Sequence, residues 1–228
     1  LYFLSREGKL IREVYDKWVD SDADVPVSEY LVVSRRAAGV SAIEKFEDIL
    51  EIARMIYFPN TLEHFLFTRF GLRLDDDRWK AVHSSLGWGR ESEVRVDDRQ
   101  IKHLIPLFQM LQPEIIAQAR RERAGLMQYL QDKGLTSSEK CAVVDIGYGG
   151  SVQGYLNVLL NKKIDGYYIM TDERANARSE AHGVWIGGGF LENVRQSSNA
   201  PLMYRSSLEL ERLLSCNDPQ LEFYITND

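Results

Sequence analysis

Three short segments carry the residues best suited to chemistry. The first is Val143-Val144-Asp145-Ile146-Gly147-Tyr148-Gly149-Gly150-Ser151, an apolar run that ends on an aspartate and turns through glycines. Glycine admits positive φ and lets a ligand approach the main chain. A helix starting at Ser151 or Val152 aims free N–H groups into that turn, which favours a phosphate or carboxylate. The helix dipole adds about 0.3–1 kcal/mol to the preference. Asp145, at the carboxyl end of the run, is placed to hold ribose hydroxyls or a Mg²⁺ ion. The structural alternative is a tight turn with Ser151 as the helix cap. No lysine follows the glycines, so this is not a P-loop, and the spacing is not that of the dinucleotide fingerprint.

The second segment is Ser5-Arg6-Glu7-Gly8, in which Arg6 offers a planar fork of donors for phosphate or carboxylate. The third is Ser34-Arg35-Arg36. Taken singly, each also reads as a surface turn with local charges. All three segments follow strand-like runs, and in open α/β sheets ligands bind at the carboxyl ends of strands. Together they suit an anionic ligand. Arg6 and Asp145 are the candidates for catalysis. Ser5, Gly8, Arg35, Gly147, Gly149, Gly150 and Ser151 are the candidate ligand contacts.

The elements that must position these residues follow from periodicity. Residues 1–5 read as a buried strand, 9–19 as a helix and 30–33 as a second strand, with an acidic loop from Ser21 to Pro26. This is a βαβ unit, which favours a parallel sheet with a right-handed crossover. Helical spacing then covers 41–58, where Ser41 and Glu44 resemble a capping box, and 61–70. Asp75-Asp76-Asp77 reads as a solvated start to a helix near Trp79, and 87–97 as a loop. Two helices, 98–111 and 113–133, are expected to part at Pro113, with Gly134 as C-cap. Strands return at 142–146 and 166–170, flanking a helix at 152–161. A further strand over 182–186 ends at Gly187-Gly188-Gly189, and a last amphipathic helix covers 202–215.

The expected fold class is α/β: a mostly parallel sheet of about 4–6 strands with flanking helices and a large helical insertion. Residues 1–40 and 136–228 form the sheet domain, and 41–135 the helical insertion or cap.

Composition sets bounds on function. Against 34 acidic residues stand 28 basic ones, giving 28 − 34 = −6. That balance argues against a general nucleic-acid binder but leaves room for a local basic pocket. Two cysteines are too few for a disulfide framework, and a cytoplasmic setting is expected. No apolar run nears the roughly 18 residues of a membrane span, and no signal peptide is visible. The apolar opening Leu1-Tyr2-Phe3-Leu4 lacks an initiator Met, which predicts a piece of a longer protein. His64, His83, His103 and His182 lack metal-ligand spacing, and no metal site is expected from them. Arg120-Arg121-Glu122-Arg123 reads as an exposed helix face. Glu209 and Glu211 are spaced i,i+2, so at most one points into a pocket.

Leu1 to Gly8, Tyr30 to Ala37, Val144 to Gln153, and the ending from Leu208 to Tyr224 together resemble a known region. It lies C-terminal to the hydrolase domain in large bacterial haloacid-dehalogenase-superfamily proteins. The resemblance spans most of the chain through short motifs. It implies fusion to glycosyltransferases, a role in surface polysaccharide synthesis, and other domains of the same polypeptide as partners. That family's hydrolases use an Asp-x-Asp nucleophile after their first strand. Here Ser5-Arg6-Glu7-Gly8 follows instead, so the chain is not expected to be the phosphatase itself.

A second, fold-level similarity is to type I phosphoribosyltransferases. Arg6-Glu7-Gly8, Arg35 and Asp145 to Ser151 match the places that hold a ribose phosphate there. Ile146 departs from the usual acidic pair. The similarity implies a phosphorylated sugar or nucleotide sugar as ligand, Mg²⁺ as its companion, and group transfer as the chemistry. The alternative expectation is a non-catalytic module that docks on neighbouring domains.

Overall fold

The computed structural model describes residues 1–19, 24–55, 58–95 and 98–225. The chain begins with β1 (Tyr2–Leu4), α1 (Gly8–Trp18) and β2 (Glu29–Leu31). There follow α2 (Arg35–Ser41), α3 (Phe46–Ala53), β3 (Asn60–Thr61), α4 (Leu62–Phe70), α5 (Asp76–Leu86), β4 (Glu93–Val94) and α6 (Asp98–Asp132). The chain returns through β5 (Ala142–Asp145), α7 (Ser151–Leu160), β6 (Asp165–Asp172), α8 (Glu173–His182) and β7 (Ile186–Val194). It closes on α9 (Leu202–Arg205) and α10 (Ser207–Leu214).

Among the described residues these elements form two compact units, Leu1–Ala38 with Tyr129–Leu221, and Gly39–Gln128 with Glu222–Asp228. The first unit holds a five-stranded parallel sheet in the order β2-β1-β5-β6-β7. The fold class is therefore α/β, with helices flanking a parallel sheet. Strand alternation puts Phe3, Val144, Tyr167 and Gly187 in register on one face. Here α1 lies against the sheet, its Tyr15 ring 5.5 Å from that of Phe3. Asp145 and Tyr168 pair on the opposite face. That face carries α7, whose buried Gln153 accepts the Tyr168 hydroxyl at 3.0 Å and donates to the Ile164 carbonyl at 2.7 Å.

In the second unit Phe65, Phe70 and Phe108 are fully buried, with ring centroids 5.8–6.3 Å apart. The expected break at Pro113 is absent. α6 runs unbroken through Pro106 and Pro113. Each proline removes one backbone donor, but Leu104, Leu107, Phe108, Leu111, Ile115 and Ala119 form one continuous buried stripe across both. Burying that stripe outweighs two missing hydrogen bonds.

Other differences have equally local causes. The 41–58 helix is two elements: α2 ends at Ser41 and α3 starts at Phe46. Asp48, not Glu44, closes the cap, accepting the N–H groups of Glu44 and Lys45 at 2.9 and 3.0 Å. Residues 56–57 of that stretch, and 21–23 of the acidic loop, lie outside the described residues. The 87–97 segment contains β4, paired antiparallel with β3. The Arg120–Arg123 run is not a uniformly exposed face. Glu122 is buried and accepts Gln118 at 3.0 Å, and Arg123 donates to the carbonyls of Ser41 and Ile43 at 2.6 and 3.0 Å. Gly187-Gly188-Gly189 lie inside β7 rather than after a strand, because pairing with β6 needs only backbone.

Truncating Phe108 removes the ring shared by two aromatic contacts. Phe108→Ala is expected to lower stability by about 3–5 kcal/mol, measured from the midpoint of chemical denaturation.

Candidate functional site

The strand order reverses between β1 and β5. β1 leads outward to β2, and β5 leads outward to β6. In open α/β sheets the crevice for ligands opens at such a point, beyond the carboxyl ends of the strands. The turn after β1, Ser5–Glu7, and the turn after β5, Ile146–Gly150, flank it, with Arg35 beyond β2. Both turns contain a cis peptide, Ser5–Arg6 and Gly147–Tyr148.

The candidate residues differ in what they do there. The Ser5 hydroxyl donates to the Val33 carbonyl and accepts the Val33 N–H, both at 3.0 Å, so it ties β1 to the chain beyond β2. Gly8 is buried, and a Cβ there would stand 2.8 Å from the carbonyl carbon of Phe3. It permits the close approach of α1 to β1. The loop glycines serve the chain's own packing in the same way. Gly147, at φ +155°, faces the Met170 carbonyl, which a Cβ would meet at 2.6 Å. Gly149 gives its carbonyl to Arg178, against whose guanidinium it packs. Gly150, at φ +66°, is the cap of α7, and Ser151 is its first residue. No side chain caps α7 and no acidic residue stands in its first turn, so its N-terminal N–H groups keep their positive potential.

Asp145 is the electrostatic centre of the crevice. Its Oδ1 accepts the Ile146 N–H at 2.7 Å. Part of the residue meets solvent, but protein crowds the carboxyl, and that desolvation pushes its pKa up to about 8. The Ile146 hydrogen bond works against the rise, the charges of Glu7 and Glu211 add to it, and Arg35 opposes it. Arg35 is exposed and Arg6 half-buried, and among the described residues no ion pair engages either guanidinium. Arg35 is thus the cation that acts on Asp145, and Arg6 stands on the turn next to it in the sheet.

Several participants lie outside the candidate catalytic and ligand-contact residues. Of Glu209 and Glu211, only Glu211 acts on the site, while Glu209 is exposed. Glu7 accepts its neighbour's Arg6 N–H at 3.1 Å and a hydrogen bond from Ser215. Tyr148 donates to the Ser207 carbonyl at 3.2 Å, and burial and the nearby Glu211 push its hydroxyl pKa upward. Asp172, at the end of β6, is buried. Burial pulls its pKa up, yet hydrogen bonds from Arg174 bring it below the usual carboxylate range. The spacing signal available was the pairing of Glu211 with Ser207 and Ser215 at i±4, which only the partners' positions make meaningful.

Among the described residues no three His, Cys, Asp or Glu side chains converge as metal ligands. The oxygen donors of Asp145 and Glu7 suit Mg²⁺ chemically, in the manner of an ion held by one or two carboxylates and a ligand's phosphates. A second concavity, about 420 Å³, lies on the other face of the sheet. Apolar side chains line it, among them Phe3, Ile11, Val14, Trp18, Val144 and Tyr167. Among the described residues no helix is long and apolar enough to cross a membrane.

No protein-family model matches the chain, and no protein of curated function does.

A carboxyl with a raised pKa binds its proton in the folded state where the unfolded chain has lost it. Stability from this group therefore falls as pH rises from about 4 to about 8, then levels. Asp145→Asn keeps the acceptor for Ile146 and removes the titration. The variant is expected to match the parent in Tm near pH 4 and to exceed it above pH 8. A constant difference across that range would mean that Asp145 ionises normally.

Proposed function

We propose that the chain binds a phosphorylated sugar or nucleotide sugar in the crevice between β1 and β5. The carrying observation is the reversal of strand order, which brings the Arg6 turn and the Asp145 turn to one place at the carboxyl edge. In this reading the uncapped N-terminus of α7 receives a phosphate. Arg6 and Arg35 supply the cations, and Asp145 orients hydroxyls. Mg²⁺ is proposed to arrive with the phosphates, with Glu7 as its protein contact and with Asp145 joining only where the ion displaces its proton.

The chemistry that fits is group transfer on the phosphorylated sugar. Arg6 and the α7 N–H groups would stabilise negative charge that develops on a leaving phosphate. Asp145, which holds its proton near neutral pH, would donate a hydrogen bond rather than accept one. The resemblance to haloacid-dehalogenase-associated regions supports a role for such a module in bacterial surface-polysaccharide synthesis, beside other domains of one polypeptide in the cytoplasm.

One observation favours the second reading, a non-catalytic docking module. The apolar groove beside α1 leaves Val14, Trp18, Tyr167 and Trp185 exposed on one face of the sheet unit.

A thermal-shift panel separates the two. It holds phosphoribosyl pyrophosphate, nucleoside mono- and diphosphates and nucleotide sugars, each with Mg²⁺. A ligand at about 100 times its Kd stabilises the fold by ~2.7 kcal/mol. The expected outcome is a shift that disappears in Arg6→Ala and Asp145→Ala. A panel without any shift, or a shift that both variants retain, would overturn the ligand site.

A further inference from the structure

The chain after β7 runs back across the strand ends in reverse order. At the end of β6, Tyr204 donates to Asp172 Oδ2 at 3.1 Å. Beyond β5, Tyr148 donates to the Ser207 carbonyl at 3.2 Å, and its ring meets that of Tyr204 edge-on at 5.7 Å. Glu211 acts on both Asp145 and Tyr148. Beyond β1, Glu7 accepts the Ser215 hydroxyl. Asp218 then takes Lys9 of α1 at 3.1 Å and the Tyr30 hydroxyl of β2 at 3.2 Å. Ser207 opens α10, Glu211 lies one turn on, and Ser215 follows the end of the helix, so α10 runs from the Tyr148 contact to the Glu7 contact.

Polar contacts hold this segment in place. Neither α9 nor α10 contains a buried residue, and Leu202, Leu208 and Leu213 are exposed. An element with no buried apolar side chain opens locally at a much lower free energy than core strands do. The segment also lies where a ligand must enter. Glu7 lies beneath it and Glu211 on it, and both carboxylates favour the protonated form of Asp145.

We propose that Tyr204–Asp218 is a strap over the carboxyl ends of β6, β5 and β1, that it lifts to admit a ligand, and that Glu211 is its own contact to that ligand. The ligand part rests on the proposed function. The motion stands independently of it.

Hydrogen exchange on the whole chain tests the motion without any ligand. Residues 202–214 are expected to exchange at least about tenfold faster than β5 and α7. The double variant Tyr204→Phe/Ser215→Ala removes two pins without touching Asp145, Arg6, Arg35 or the glycine turn. It is expected to speed exchange in 202–214 by about tenfold more, leaving β5 and α7 unchanged. Protection of 202–214 equal to that of β5 would make the segment part of the cooperative core and overturn the strap. Phosphoribosyl pyrophosphate with Mg²⁺ serves as the probe for gating. It is expected to protect 202–214 in the parent chain and to associate faster with the double variant. A probe that raises Tm but leaves exchange in 202–214 unaltered overturns the gate and spares the site. A probe that raises no Tm counts against the site and against Glu211 as a contact, while the ligand-free exchange still decides the motion.

Discussion

Parallel strands cannot be joined by a tight hairpin, so every connection in this sheet is a crossover. The pairing of β1 with β5 therefore decides where the turns emerge. One crossover leaves β1 toward β2 over one face, and the next leaves β5 toward β6 over the other. The faces differ accordingly. α1 packs on Phe3, and α7 packs on Tyr168 through the buried Gln153. The two departing turns leave neighbouring strands toward opposite sides, and the point between them is where open α/β sheets take their ligands. Arg6, Glu7 and Asp145 meet there because of that single pairing, although 138 positions separate Glu7 from Asp145 in the chain (145 − 7).

The electrostatics of the crevice are mixed. Two arginines and a helix N-terminus suit an anion, whereas three carboxyl groups do not. The conflict is reduced because Asp145 retains its proton up to about pH 8. A neutral carboxyl there acts as a hydrogen-bond donor and leaves the arginine charge uncancelled. Buried charge elsewhere is handled by pairing instead. Asp172, also buried, keeps its charge because Arg174 and Tyr204 supply hydrogen bonds to it. Two aspartates at the ends of adjacent strands thus take opposite protonation states, according to their nearest donors.

The glycines of the β5 turn show how a motif can be recognised for one reason and be required for another. Positive φ at Gly147 and Gly150 is real, and it makes the sharp return into α7. The space that a side chain would fill belongs, however, to Met170 and Ile186 of the neighbouring strands. The turn is shaped by its fit to β6 and β7, and the anion-binding character resides in the helix start that the fit produces.

The sequence by itself determined the α/β class, the opening βαβ unit, the strand–turn–helix at Asp145 and the capped start of α5 at Asp75, whose carboxyl accepts the Arg78 N–H at 2.8 Å. All of these are local: apolar period, cap chemistry and turn glycines act within a few residues. Only the tertiary structure decided that α6 continues through two prolines, because the buried stripe that sustains it is defined by distant partners. It also revealed α8, whose single buried residue, Ala175, leaves no apolar period to read. The Tyr204–Asp218 segment, Glu211 included, reaches partners 32 to 209 positions away, such as Asp172 and Lys9. Contacts at that separation leave no periodic trace in the chain, since their residue types are set by a neighbour in space rather than a neighbour in sequence.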